Sequence, residues 1–81
     1  MTNRGRPEGR IHRARLRQLV LPMLAPGVAV PGCRALGRLL GIHESEASRH
    51  MKRVLAEEGI TTERVGQRHY VVDIPAWRQA A

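Results

Sequence analysis

Two helical patterns joined by a tight turn constrain this chain more than any other feature. Leucines recur at helical spacing from Leu36 to Leu40, and apolar residues do so again from Ala47 to Leu55. The turn between them is Leu40-Gly41-Ile42, in which we expect Gly41 to adopt the left-handed conformation that ends a helix. Gly37 has no side chain and would let the two helices approach closely. This segment therefore predicts a helix-turn-helix unit.

The apolar spacing predicts three helices, over Arg10–Leu21, Arg34–Leu40 and Glu44–Glu58. Pro22 is expected either to stop the first helix or to kink its last turn, and Gly59 is expected to end the third. Arg13 and Arg17 are placed off the apolar face of the first helix. The residues expected to point inward are Ile11, Leu16, Leu19, Val20, Leu36, Leu39, Leu40, Ile42, Ala47, Met51, Val54 and Leu55.

Strand-forming residues follow the third helix on both sides of Gly66-Gln67, and this pattern predicts a β-hairpin over Thr61–Val65 and Arg68–Ile74. A further short strand is possible at Val28–Val30. Helix, turn, helix and hairpin is the order of a winged helix-turn-helix, a mainly α fold with a small β-hairpin. We assign residues 11–74 to this domain, residues 1–10 to a flexible basic arm, and residues 75–81 to a tail or short terminal helix.

The charge of the chain points to a polyanionic partner. Fourteen Lys and Arg face seven Asp and Glu in 81 residues, for a formal net charge of +7, and Lys52 is the only lysine. The planar guanidinium of arginine matches phosphate and guanine edges, so this composition is typical of nucleic-acid binders. The alternative is a solvated basic surface or a site for an acidic protein.

Several classes of function lack support in the sequence. The single Cys33 excludes an internal disulfide and fits a reducing, cytoplasmic compartment, where we expect a structural thiol rather than a redox switch. His12, His43, His50 and His69 show no zinc spacing, and surface packing or phosphate contact is expected of His50 and His69. No apolar run approaches a membrane span, and no catalytic set of residues is visible. We therefore expect no enzyme activity, metal or cofactor.

The outer face of the third predicted helix carries Ser45, Ser48, Arg49 and Lys52. Arginine can bond a guanine at O6 and N7, and lysine can bond a guanine or a phosphate. Glu44 and Glu46 leave two interpretations open. They either stabilise the positive N-terminal end of the helix dipole or accept a hydrogen bond from cytosine N4.

Two terminal features also leave alternatives open. Arg4-Gly5-Arg6-Pro7 matches the core of the AT-hook, whose arginines lie in the minor groove of A·T-rich DNA. The arm carrying it either enters that groove or binds phosphates without sequence preference. Trp77 either covers the open edge of the core or anchors a dimer.

Residues 16–72 resemble the DNA-binding domain of the GntR family of bacterial transcriptional regulators. The matching positions are Leu16-Arg17, Pro26-Gly27, Val30-Pro31, Arg34, Leu36, Leu39 or Leu40, Gly41-Ile42, Ala47, Arg53, Glu58-Gly59 after a one-residue insertion, and Gly66, Tyr70 and Val71. The resemblance implies that Arg34 contacts phosphate and that the first turns of the third helix meet base edges.

This chain departs from the family pattern at several positions. His43 and Glu44 follow the turn, where the family usually has Ser and Arg, and Arg68 replaces the second glycine of the wing. Base reading would then shift to Ser45, Ser48, Arg49 and Lys52. The chain ends about ten residues after the wing, so we expect no effector domain and no small-molecule effector.

The sequence favours a site-specific regulator of transcription, acting as a repressor, that binds double-stranded DNA as a homodimer on an inverted repeat. The alternatives are a non-specific architectural, replication or partition protein, and a winged helix that binds a protein. RNA is less favoured because stacking aromatics are missing. The expected DNA-binding residues are Arg4, Arg6, Arg34, Ser45, Ser48, Arg49, Lys52, Arg53, Arg64 and Arg68.

Overall fold

The computed structural model describes residues 7–76 of the chain. Within this range, three α-helices are followed by an antiparallel hairpin. The elements are α1 (Pro7–Leu19), a short 3-10 turn (Leu21–Met23), α2 (Cys33–Leu40), α3 (Glu44–Glu57), β1 (Thr61–Val65) and β2 (Arg68–Asp73). The predicted fold class, mainly α with a small β-hairpin, is confirmed at this level.

The first helix begins earlier than its sequence suggests. It starts at Pro7 rather than near Arg10, so the prediction of a flexible arm is wrong for residues 7–10. Proline is tolerated in the first turn of a helix because the N–H it lacks would have no partner there. Glu8 also places a negative charge at the positive end of the helix dipole. Residues 1–6, the remainder of the predicted arm, lie outside the described residues.

The turn between α2 and α3 forms as predicted. Gly41 adopts the left-handed conformation, with φ of 71°, and its N–H donates to the Gly37 carbonyl at 2.8 Å. Gly37 is buried, and a Cβ atom there would lie 2.9 Å from the Ile42 carbonyl oxygen and 3.2 Å from the Glu44 Cα. The close approach predicted at Gly37 is therefore real, and it is made to the turn and to the start of α3.

A single apolar core joins the helices and the hairpin. Three predicted core residues are instead on the surface, where Ile11 is 54% exposed, Leu19 is 42% exposed and Leu39 is 41% exposed. The buried apolar side chains are Leu16, Val20, Leu21, Leu24, Leu36, Leu40, Ala47, Met51, Val54, Ile60, Val71 and Ile74, with Ile42 and Leu55 half-buried against them.

The error in α1 has a physical cause. Leu16 and Val20 face the rest of the core, and Arg13 and Arg17 flank them as half-buried side chains that contact α3. Long arginine side chains can cover apolar surface with their methylene groups while the guanidinium reaches a polar partner. The side of α1 that faces α3 is therefore amphipathic, and Ile11 and Leu19 lie away from it.

The hairpin is attached to the helical part by residues 27–30, here named the bridging segment. Ala29 pairs with Tyr70 of β2 in an isolated bridge. Val30 N–H donates to the His69 carbonyl at 2.8 Å, and Val71 N–H donates to the Val28 carbonyl at 2.9 Å. The possible strand at Val28–Val30 is thus present in reduced form. It lies against β2 on the side opposite β1.

No helix within residues 7–76 has the length and apolar character needed to cross a membrane.

Candidate nucleic-acid interface

The start of α3 is fixed by a histidine cap that the sequence analysis missed. His43 Nδ1 accepts a hydrogen bond from the Ser45 backbone N–H at 3.1 Å and lies 2.8 Å from the Ser45 hydroxyl oxygen. A helix begins with N–H groups that have no partner within the helix, and a capping side chain satisfies one of them. Histidine is an unusual capping residue, so its type gave no signal. Its position between the turn and the first acidic residue of α3 could have suggested the role.

The predicted reading face of α3 is exposed. Ser45, Arg49 and Lys52 are exposed and Ser48 is half-buried, whereas Ala47, Met51 and Val54 on the other side are buried. Positions three and four apart lie on the same side of a helix, so Ser45, Arg49 and Lys52 follow one line along α3. This face therefore presents two hydroxyl groups and two cations to solvent.

Arg34 lies beside the first turn of α3. Its Nε atom is 3.9 Å from the Glu44 carboxylate, and its side chain is 80% exposed. An exposed ion pair at this distance contributes little to stability, so the guanidinium can exchange its partner for another anion at small cost. α2 thus adds one adaptable cation to the N-terminal end of the α3 face.

Arg53 differs from the other predicted contact residues because its charge is already paired. Its Nε donates to the Glu57 carboxylate at 3.1 Å. Arg17 also binds Glu57, and its Nε donates to Glu58 at 3.2 Å. The hydrogen bond from Arg53, with the charge of Arg17, lowers the pKa of the Glu57 carboxyl below its ordinary value. This cluster neutralises the C-terminal end of α3.

The hairpin brings two further arginines near its tip. Arg64 Nε donates to the Gly66 carbonyl at 2.9 Å, which holds its side chain against the turn. Arg68 pairs with Val65 across the hairpin as the first residue of β2. Gly66 adopts a positive φ of 65°, as the predicted glycine turn requires.

A groove between α3 and the hairpin was not foreseen from the sequence. It has a volume of about 670 Å³ and is bounded by Pro31–Cys33 at the start of α2, by Ser48 and Lys52 of α3, and by Arg68 of β2. Residues from three separate parts of the chain form the groove, so no local sequence pattern predicts it. The groove brings Ser48, Lys52 and Arg68 together, three of the predicted contact residues.

A histidine pair lies between α1 and α3. The rings of His12 and His50 are 5.6 Å apart and tilted, and Arg13 Nη1 lies 3.4 Å from His50 Nδ1. The His50 side chain is only 16% exposed, and its Nε2 is 3.8 Å from the Glu46 carboxylate. Burial, followed by the charges of Arg13 and His12, lowers the pKa of His50. Surface packing or a phosphate contact was expected of His50, and the structure places its half-buried ring against His12 and Arg13 of α1.

Arg4, Arg6 and Trp77 lie outside the described residues. Within residues 7–76, no three side chains of His, Cys, Asp or Glu come together in a way that could hold a metal ion.

The predicted contact residues of the described range thus form two groups. Arg34, Ser45, Ser48, Arg49, Lys52, Arg64 and Arg68 present polar or cationic groups around the exposed face of α3 and the hairpin, and Arg53 belongs to the paired cluster at the end of α3. No family model, curated protein or solved structure matches the chain.

Proposed function

We propose that this protein is a sequence-specific regulator that binds double-stranded DNA through a winged helix-turn-helix. In this proposal α3 enters the major groove, Arg34 contacts a phosphate near its start, and the hairpin is the wing that contacts flanking phosphates. The GntR-like residue pattern is consistent with this arrangement. The proposal is carried by one observation, the exposed line of Ser45, Arg49 and Lys52 along α3.

The distribution of charge supports a polyanionic partner at this face. Glu57 and Glu58 are occupied with Arg17 and Arg53, so part of the negative charge of α3 is neutralised at its C-terminal end. The side chains of Arg49 and Lys52 make neither a salt bridge nor a hydrogen bond with any other residue of the range 7–76. Cations without acidic partners are available to release counterions from DNA, which is the main source of affinity for nucleic acid.

Arg49 is the residue we assign to base reading, and Lys52 is assigned to the adjacent phosphate. A bidentate arginine–guanine contact discriminates against other bases by about 1–3 kcal/mol. A lysine–phosphate contact instead contributes to binding of every sequence. The two positions are therefore expected to respond differently to substitution.

The decisive experiment is selection of bound duplexes from a random pool near physiological salt, followed by sequencing. We expect one enriched motif, arranged as an inverted repeat with half-sites about 10 base pairs apart, which would indicate a dimer. Arg49→Ala should relax the preference at one position of the motif, whereas Lys52→Ala should weaken binding to all sequences. Arg15→Ala, an exposed arginine on the outer side of α1, is the matched control for loss of one charge.

Two outcomes would replace the proposal. Strong salt-dependent binding without an enriched motif would assign the protein to the non-specific architectural class. Absence of duplex binding even at low salt would exclude DNA as the partner and direct attention to an acidic protein. Enrichment of a single half-site by a protein that sediments only as a monomer would support sequence-specific DNA binding and exclude the dimer.

A further inference from the structure

The groove between α3 and the hairpin combines an apolar floor with a cationic rim. Val30, Pro31 and Leu55, which line it, are half-buried and present apolar surface to the groove, and Leu36 and Met51 behind them are almost fully buried. Its volume of about 670 Å³ lies within the range of small-molecule sites. A phosphate group alone would make no use of such a floor. The groove therefore offers contacts that a DNA backbone does not need.

The rim of the groove carries charge of one sign. Lys52 and Arg68 lie along it, together with the polar side chains of Ser48, Gln67 and His69. Among the described residues that line the groove there is no Asp or Glu. Gly32 and Cys33 also line it, and no side chain caps the start of α2 at Gly32. The electrostatic surroundings of the groove thus favour an anion.

We propose that this groove binds a small amphipathic anion, a carboxylate with an alkyl tail. The tail lies against Val30 and Leu55, and the carboxylate lies beside Lys52 and Arg68. Burial of the tail supplies affinity in proportion to its apolar area, and the two cations select for the charged head. The occupant is defined by charge complementarity at the rim and by the apolar character of the floor.

The groove also offers a means of regulation, a consequence that rests on the proposed function. Lys52 and Arg68 belong to the proposed DNA interface, so an anion bound beside them would compete with phosphate for the same cations. Bound ligand would also occupy the space between α3 and the hairpin. We therefore expect the amphipathic anion to lower the affinity for duplex DNA, which departs from the sequence-based expectation that no small-molecule effector acts on this protein.

Calorimetric titration of the full chain with acetate, hexanoate and decanoate, below the concentration at which decanoate forms micelles, tests the binding site directly. We expect each added methylene to tighten binding by about twofold to fourfold, because it buries further apolar area. Lys52→Ala and Arg68→Ala should each weaken decanoate binding by about twofold to fivefold. Arg15→Ala removes the same charge from α1, which does not line the groove, and should leave binding within experimental error.

Cys33 provides a second and local measurement. It is the only cysteine in the sequence, it is exposed, and it lines the groove. Bound decanoate should slow the reaction of Cys33 with N-ethylmaleimide, whereas acetate at the same concentration should not. Circular dichroism of each variant separates loss of binding from loss of folding.

Three results would overturn the inference. They are affinity that does not depend on tail length, equal loss of binding in Arg15→Ala and Arg68→Ala, and alkylation of Cys33 that is unchanged at saturating decanoate. Failure of the proposed function is distinguishable, because it appears as absence of duplex binding while decanoate still binds with the expected dependence on Lys52 and Arg68. Competition between decanoate and duplex DNA would support both the anion site in the groove and the proposed DNA-binding function.

Discussion

Gly37 lies where α2 passes closest to the backbone of the following turn. The atoms that a Cβ would meet are the Ile42 carbonyl oxygen and the backbone of Glu44, and neither can move without displacing the start of α3. Gly9 offers a contrast within α1, since its nearest neighbour would be the Arg13 guanidinium at 3.2 Å, the far end of a flexible side chain. A side chain at position 37 would therefore clash with backbone atoms, whereas one at position 9 would meet only the end of a flexible side chain.

Replacement of each glycine by alanine should have opposite effects on stability. Gly37→Ala should lower the free energy of unfolding by about 1–3 kcal/mol, because the backbone shift outweighs the gain in helix propensity. Gly9→Ala should raise it by up to about 1 kcal/mol, because Arg13 can move aside. Urea unfolding followed by circular dichroism measures both. A stabilising effect of Gly37→Ala would show that α2 is not pressed against the turn.

His50 makes stability depend on pH in a stated direction. Burial and the charges of Arg13 and His12 hold the pKa of His50 below its ordinary value of 6.5, while Glu46 opposes and Arg49 adds to this effect. The unfolded chain then binds the proton more readily than the folded protein. The contribution of neutral His50 to the free energy of unfolding is fully present above pH 6.5. It is lost as the pH falls through the lower pKa that His50 has in the folded state.

The pH dependence can be assigned by substitution. Urea midpoints measured between pH 7.5 and 5.5 should fall for the wild-type protein, and His50→Gln should reduce the slope. His69→Gln, an exposed histidine on β2, is the matched control and should preserve the slope. If both variants reduce the slope equally, the His12–His50 contact between α1 and α3 is not the cause of the pH dependence.

At the scale of elements, the cap of α3 connects stability with the proposed reading face. His43 accepts from the Ser45 N–H only while its Nδ1 carries no proton. His43→Ala should cost about 0.5–2 kcal/mol of stability, the usual cost of losing a cap, and His43→Asn should restore most of it. Thermal unfolding of the three proteins measures the effect. Equal stability of all three would show that the contact to Ser45 contributes nothing.

The elements themselves could be predicted from the sequence because their end signals are local. Gly41, Gly59 and Gly66 all adopt the positive φ that the pattern requires, and the observed ends of α2, α3 and the hairpin differ from the predicted ones by at most one residue. The start of α1 was missed because a proline that breaks the interior of a helix is acceptable in its first turn.

The choice of buried face could not be predicted as well. Ile11, Leu19 and Leu39 fit helical spacing, but burial depends on the element that packs alongside, and the sequence alone does not give its direction. Candidate site residues on α3 followed directly from the placement of Met51 and Val54 in the core. The groove and the His12–His50 contact depend on tertiary packing of distant segments and had no sequence signal.

At the scale of the whole molecule, charge is divided between paired and available groups. Glu57→Gln should release Arg53 and remove one negative charge near the proposed DNA face. We expect tighter duplex binding at low salt and a salt dependence steeper by up to about 0.9 in the logarithmic slope, one additional phosphate contact. Binding titrations over a series of salt concentrations measure both.

A control for this effect is available in α1. Glu8→Gln changes the net charge equally at the first turn of that helix, away from Arg53. If it strengthens DNA binding as much as Glu57→Gln, the gain comes from overall charge, and release of Arg53 is not its cause.

The bridging segment has a consequence for the order in which this protein folds. Its hydrogen bonds to His69 and Val71 close a loop of chain that contains α2, α3 and β1. Contacts so distant in sequence are entropically costly until the intervening helices have become compact, so the closing bonds are expected to form late. Rupture of those bonds would detach the hairpin from residues 27–30 and open one wall of the groove. Late closure and an intact groove therefore depend on the same few backbone contacts.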